Sequence, residues 1–204
     1  MGIHTRTSSR TIIELVGSMG LGPLLQQYEE YLLLLARVEV GRRLQRKLDP
    51  SDLVQEVFLD AHRQFPNFRG TTESELLEWL RQILAGITAN AMRHYLGVQG
   101  RDARRELEQD ISGSFGKTAK QLHELAAVSG ETPSQDAMRR EQAVVVADAI
   151  QSLPDDYRDV LILRHWEGLS FPDVAIRLSK TTDSVEKLWM RALVKLRQQM
   201  KSAP

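Results

Sequence analysis

Apolar residues recur three and four positions apart through almost the whole chain. Nowhere do they alternate with polar residues in a β-branched run bounded by turns. A spacing near 3.6 puts side chains on one face of a helix, whereas a half-buried strand needs a spacing of two. The pattern therefore predicts an all-α protein. The stripes are explicit: a broad apolar face over Leu24 to Val40; Leu53, Val57 and Ala61 with Phe58 beside them; Leu76, Trp79, Leu80, Ile83 and Ile87; and Val185, Leu188, Trp189, Ala192 and Leu196. Each helix needs another to bury its stripe.

Helix breakers divide the 204 residues into blocks. Asp49-Pro50-Ser51-Asp52 reads as a helix start, with a capping side chain and a proline tolerated in the first turn. Phe65-Pro66-Asn67-Phe68-Arg69-Gly70 must end that helix, because proline lacks the donor and glycine frees the backbone. The expected organisation is two small helical domains, residues 1–99 and 139–204, joined by a flexible linker over residues 100–138. Gly113, Gly116, Gly130 and Pro133 among Ser, Thr, Lys and Glu suit a mobile segment, although Lys117 to Val128 carries Leu122, Leu125 and Val128 at helical spacing.

Zero cysteines exclude disulfides and cysteine-ligated metal sites. The first nine residues lack the basic start and apolar core of a signal peptide. The longest apolar run, Leu32 to Ala36, falls far short of the ~20 residues that span a bilayer. A cytoplasmic protein is expected.

Net charge is zero, but it is unevenly placed. Residues 101–176 hold nine basic and fourteen acidic side chains, whereas residues 177–204 hold seven basic and two acidic. The C-terminal end is a cationic pole, and local charge matters more than the sum for contact with phosphate. The same charges also fit a solvated helix face.

That pole coincides with the sharpest local pattern. Leu153-Pro154 opens a helix carrying Tyr157, Val160 and Leu161, which ends near Glu167-Gly168. Ser170-Phe171-Pro172-Asp173 then forms a capping signature, and Val174, Ala175 and Leu178 make a short apolar face. Ser179 to Thr181 is a tight turn, with Thr181 or Thr182 capping the last helix. Two helices, a short turn and a basic outer face on the second describe a helix-turn-helix. Helical hairpins also serve as plain packing units.

Two stretches resemble a known family. Asp52-Leu53-Val54-Gln55-Glu56-Val57-Phe58-Leu59-Asp60-Ala61, with Phe68-Arg69-Gly70 and Trp79-Leu80, is similar to the second domain of bacterial extracytoplasmic-function (ECF) sigma factors. Leu153-Pro154, Arg158, Val160-Leu161, Arg164, Glu167-Gly168-Leu169-Ser170-Phe171, Val174-Ala175 and Leu178, continued by Val185, Arg191-Ala192 and Leu196-Arg197, is similar to their fourth domain. The resemblance implies the minimal two-domain type. It departs at Gly86 and Asn90, where family members usually have Asn and Asp, and at Ser179, where glycine often marks the turn. Basic residues are common in the family where this chain has Glu186, Leu188 and Leu193.

The resemblance implies roles for particular residues. Asp52, Leu53, Gln55 and Glu56 match the surface that docks on core RNA polymerase, while Leu53 also fits a core stripe. Asn67, Phe68, Arg69, Thr71 and Thr72 match a loop that catches a flipped base of the downstream promoter element, with Arg81 and Arg93 near the melted strand. Aromatic stacking contributes ~1–3 kcal/mol per base; the alternative is that Phe65 and Phe68 plug the core. Arg42, Arg43, Arg46 and Lys47 are further candidates for the phosphate backbone. Thr182, Ser184, Lys187, Met190 and Arg191 lie where a recognition helix meets the major groove. Lys180 and Lys195 are placed for phosphates, which position without specifying.

The implied partners are core polymerase, promoter DNA and, as the family suggests, an anti-sigma factor that no residue here identifies. No catalytic signature is present: His4, His62, His94, His123 and His165 show no metal-ligand spacing, and no phosphate-binding glycine loop or serine elbow occurs. The expectation is a non-enzyme without cofactor. Rival readings are a stand-alone helix-turn-helix repressor, which requires a dimer and paired half-sites, and a sigma-like interaction module without promoter activity.

Overall fold

The computed structural model describes residues 11–44, 48–96, 101–128 and 136–202, and among these there is no strand. Among the described residues ten α-helices follow one another: α1 (Ile12–Met19), α2 (Leu21–Gln26), α3 (Glu29–Leu44), α4 (Pro50–Gln64), α5 (Glu73–Leu96), α6 (Arg101–Val128), α7 (Asp136–Gln151), α8 (Asp155–Leu161), α9 (Phe171–Leu178) and α10 (Thr182–Ser202). A 3-10 turn, Phe65–Asn67, follows α4, and a π-helical turn, Ile162–Trp166, extends α8.

The starts follow local capping chemistry, and that of α4 was legible in the sequence. Asp49 caps α4 by accepting from the Ser51 N–H at 2.9 Å, and Pro50 takes the first helical position. Thr11 and Glu14 form a reciprocal capping box at α1. Helix α3 is the hub: Tyr31, Leu32, Leu34, Leu35, Ala36, Val38 and Val40 are all buried. A helix buried on nearly every side must be apolar on nearly every side. Helices α4, α5, α6 and α7 all pack against it.

The expectation of a flexible connection over residues 100–138 is corrected by α6. Arg101–Val128 is one continuous helix that packs along α5 and α7 and also touches α3. Its buried line is Ile111, Phe115, Ala119 and Leu122, at intervals of three and four, with Ser114 and Thr118 also buried. Gly113 and Gly116 lower its intrinsic propensity, yet the buried line outweighs them. The Ser114 hydroxyl donates to the Glu39 carboxylate of α3 at 2.5 Å, and Glu39 is 0% exposed. Residues 129–135 of the expected linker lie outside the described residues.

Ala143, Val146, Ala147 and Ile150 carry the core from α6 and α3 into the C-terminal helices, so one buried cluster runs from Ile12 to Leu196. Phe115, 1% exposed, sits at its waist. Phe115→Ala should cost about 3–5 kcal/mol, read as a lower midpoint in urea unfolding followed by circular dichroism.

The contact between α3 and α7 also brings two acids together. Burial, then the charge of Glu30, pushes the Asp148 carboxyl up to about 6. A value raised in the native state means that folding favours the protonated form. The stabilisation is full below the ordinary 3.8 and is lost as pH rises through 6. The residue as a whole is exposed, so solvent screening keeps the effect small. Asp148→Asn should remove this slope, leaving the variant more stable than the wild type above pH 6 in urea denaturation compared across that range.

Candidate nucleic-acid interface

The C-terminal helices build one surface from the inside outward. The π-helical turn closes with the Glu167 N–H on the Ile162 carbonyl at 3.0 Å, and Gly168 follows at φ 68°, a left-handed conformation that glycine adopts without strain. Arg164 donates to the Leu169 carbonyl and lies 4.2 Å from the centre of the Phe171 ring. Phe171 in turn meets Trp189 of α10 edge to face, with centroids 5.7 Å apart. This Arg164–Phe171–Trp189 stack clamps α9 and α10 to the turn before them, and Trp189 is thereby a packing residue.

Ser170 caps α9, accepting from the Asp173 N–H at 3.3 Å. Ser179 ends it at φ 54°, and the Lys180 N–H closes the turn on the Ala175 carbonyl at 2.9 Å. The left-handed turn is thus made by serine where glycine would be unstrained, at a cost of about 1 kcal/mol. Thr181, rather than Thr182, caps α10: its hydroxyl accepts from the Ser184 N–H at 3.3 Å.

Val185, Ala192 and Leu196 of α10 face inward, and Ser184, Lys187, Met190, Arg191 and Lys195 are exposed. Thr182 is half-buried at the edge of this face. Two of its cations rest on acids. Lys187 meets Asp183 at 2.8 Å and Lys180 meets Asp156 at 3.1 Å. Surface pairs of this kind contribute only about 0–1 kcal/mol, so phosphate can replace the acid cheaply. Arg191 and Lys195 form no ion pair among the described residues. Val194, 56% exposed on the same face, was missed in the sequence, where its period alone places it outward.

On α4, Asp52, Gln55 and Glu56 are exposed together, as the helical period demands. Leu53 is only 4% exposed and belongs to the core with Val57 and Ala61. Its placement on a docking surface is therefore corrected. Leu59, 62% exposed, lies opposite the buried stripe, one turn beyond Gln55 and Glu56. The same spacing that identified the stripe identifies position 59 as its antipode.

The loop after α4 is held by aromatic contacts and by hydrogen bonds to Glu75. Phe68 packs against Trp79 with centroids 4.9 Å apart, and Phe65 stacks on Phe68 at 5.8 Å. All three rings are half-buried, so the aromatics support the loop and keep an exposed edge. Glu75 gathers the next turn: its carboxylate accepts from the Thr71 N–H at 2.8 Å, the Thr72 N–H at 3.0 Å and the Thr72 hydroxyl at 2.9 Å. The Thr71 N–H, then that of Thr72, hold this carboxyl below its ordinary value. The Thr71 carbonyl accepts from the Ile12 N–H at 3.0 Å, so α1 buttresses the loop, which the sequence had not suggested.

Asn67 and Arg69 point to solvent, with Arg69 donating to the Pro66 carbonyl at 3.1 Å. Arg81 is not part of this exposed group. Its side chain is 18% exposed and is held by Glu78 and by the Tyr31 hydroxyl. Arg93 donates to Asn90 at 2.8 Å, fourteen residues and about 21 Å along α5 from Trp79. Arg42 and Arg43 lie at the end of α3, while Arg46 and Lys47 lie outside the described residues. A Cβ on Gly70 would stand 2.3 Å from Phe68 Cζ and 2.9 Å from Glu75 Cβ. Gly70→Ala should therefore displace the Phe68 ring from Trp79, seen as a changed near-ultraviolet dichroism and altered tryptophan fluorescence, with helix content retained.

Among the described residues, no group of three or more His, Cys, Asp or Glu is placed to hold a metal ion. No described helix is long and apolar enough to cross a membrane. Taken alone, the geometry defines a helix-turn-helix with a basic outer face on its second helix, together with a second exposed surface on α4.

Residues 143–196, from α7 to the inner face of α10, match the family described as Sigma-70, region 4. The chain is 31% identical over 144 residues to the RNA polymerase sigma-H factor of Pseudomonas aeruginosa, covering 71% of this chain and 69% of that protein. It is 30% identical over 144 residues to the ECF RNA polymerase sigma-E factor of Escherichia coli, covering 71% of this chain and 70% of that protein. With the ECF RNA polymerase sigma-E factor of Haemophilus influenzae it shares 35% identity over 127 residues, 62% of this chain and 61% of the other. The chain belongs to the ECF family of RNA polymerase sigma factors.

Proposed function

We propose that this protein binds RNA polymerase core in the cytoplasm and directs it to promoters, the polymerase supplying all the chemistry. Residues 1–99 would dock on core and engage the downstream promoter element. Residues 139–204 would recognise the upstream element. The observation that carries this reading is the clamped helix-turn-helix: it lies within the stretch matching sigma-70 region 4 and presents Lys187, Met190, Arg191 and Lys195 to solvent.

The two exposed faces divide the labour. On α4, Leu59 lies between Asp52, Gln55 and Glu56 toward the start of the helix and the exposed His62 and Arg63 toward its end. An apolar anchor inside a polar rim is the arrangement that binds a protein partner well. On α10, cations line an outward helix face suited to phosphates flanking a major groove. In the loop after α4, Asn67 and Arg69 beside the Phe68–Trp79 pair offer an amide, a cation and a ring edge to an unstacked base. An anti-sigma partner would act by covering one of these faces.

Run-off transcription with purified core and a genomic DNA library tests the reading. New specific starts are expected only when the protein is added. Arg191→Ala should weaken those starts about ten-fold, one bidentate base contact, while competition for core stays unchanged. Gln55→Ala with Glu56→Ala should instead weaken competition for core. Core binding without any specific start would reduce the protein to an interaction module, and dimeric DNA binding without core would make it a repressor.

A further inference from the structure

The outward pole of α10 is not uniformly polar. At 3.6 residues per turn, Asp183, Lys187, Met190 and Val194 fall along one line opposite Val185, Ala192 and Leu196. Met190 is 57% exposed and Val194 56%. Single exposed apolar residues are ordinary on a protein surface. Here two stand one turn apart, at the centre of the face that the clamped turn holds outward. A hydrophobic protein partner or a second copy would need an apolar patch with a polar rim. This line is bordered on one side by Arg191 and Lys195 and on the other by Glu186 and Arg197, with Lys187 on it, and its own acid, Asp183, is paired with Lys187 at 2.8 Å. A narrow apolar line with Lys187 on it and Arg191 and Lys195 along one edge complements a groove with a phosphate strand along that edge and something apolar on its floor.

The major groove of DNA offers one apolar group, the C5-methyl of thymine. We infer that Met190 reads thymine in the upstream promoter element by contact with this methyl, and that Val194 makes a second such contact. The inference rests on the sigma-factor reading and adds to it the base identity that the helix selects. Methionine suits the task because its unbranched thioether adapts to a surface without a fixed shape. Lys187 and Arg191 supply the hydrogen bonds and charge, while the apolar pair supplies discrimination that no hydrogen-bonding group gives.

The test uses holoenzyme assembled from core and the full chain, on a promoter that this holoenzyme selects from a random library. Each thymine of the upstream element is replaced singly by deoxyuridine, which keeps every hydrogen-bonding group and removes only the methyl. At one or two positions this should weaken holoenzyme binding about four-fold, the worth of one buried methyl group. Met190→Ala or Val194→Ala should bind thymine and uracil equally at its own position, with helix content unchanged because neither side chain is in the core. Lys187→Ala should weaken binding to both bases alike. The inference is overturned if the selected element contains no thymine, if uracil equals thymine everywhere, or if both alanine variants keep the preference. If the holoenzyme selects no promoter at all, the sigma-factor reading fails first and takes this inference with it.

Discussion

At the centre of the molecule a carboxylate has no access to water. Glu39 lies on the most buried helix, and the Ser114 hydroxyl of α6 donates to it at 2.5 Å. A buried polar group is tolerated only where hydrogen bonds replace its hydration. This pair fixes the register of α6 on α3, because sliding by one residue would remove the donor and expose part of the Ile111–Phe115–Ala119–Leu122 line. Helix α7 packs on both α3 and α6, so the C-terminal helices take their place from a surface that this contact sets.

Each exposed functional face is then the reverse of a well-packed one. Leu53, Val57 and Ala61 hold α4 in the core, and the same rotation turns Asp52, Gln55, Glu56 and Leu59 outward. Val185, Ala192 and Leu196 hold α10, while Phe171 against Trp189 fixes its angle to α9. Rigid positioning limits the conformational entropy lost on binding. Both faces also place apolar side chains among polar ones, Leu59 on α4 and Met190 with Val194 on α10.

The loop between α4 and α5 gains its order differently. It has no stripe of its own, and its hydrogen bonds run to Glu75 and to the first residue of α1. Gly70 allows the Phe68 ring to fold back over the chain onto Trp79. Asn67 and Arg69 are left at the tip, where their polar groups are exposed without the backbone being loose.

The helices, their caps and the identity of both outward faces were legible in the sequence, because 3.6-residue periodicity and capping chemistry are local properties. Leu59 and Val194 are equally implied by that periodicity, each standing opposite a buried stripe. The long α6 was not legible: its glycines and charges are local signals for a loop, and they are outweighed by burial against α3, α5 and α7, which a single segment does not display. The withdrawal of Arg81 to Tyr31 and Glu78, the support of the loop by α1 and the acid pair Glu30–Asp148 are likewise contacts between distant segments. The sequence alone determined which side chains face in or out of each helix. Tertiary packing alone decided which helices meet, because that choice depends on the shape and burial of surfaces far apart along the chain.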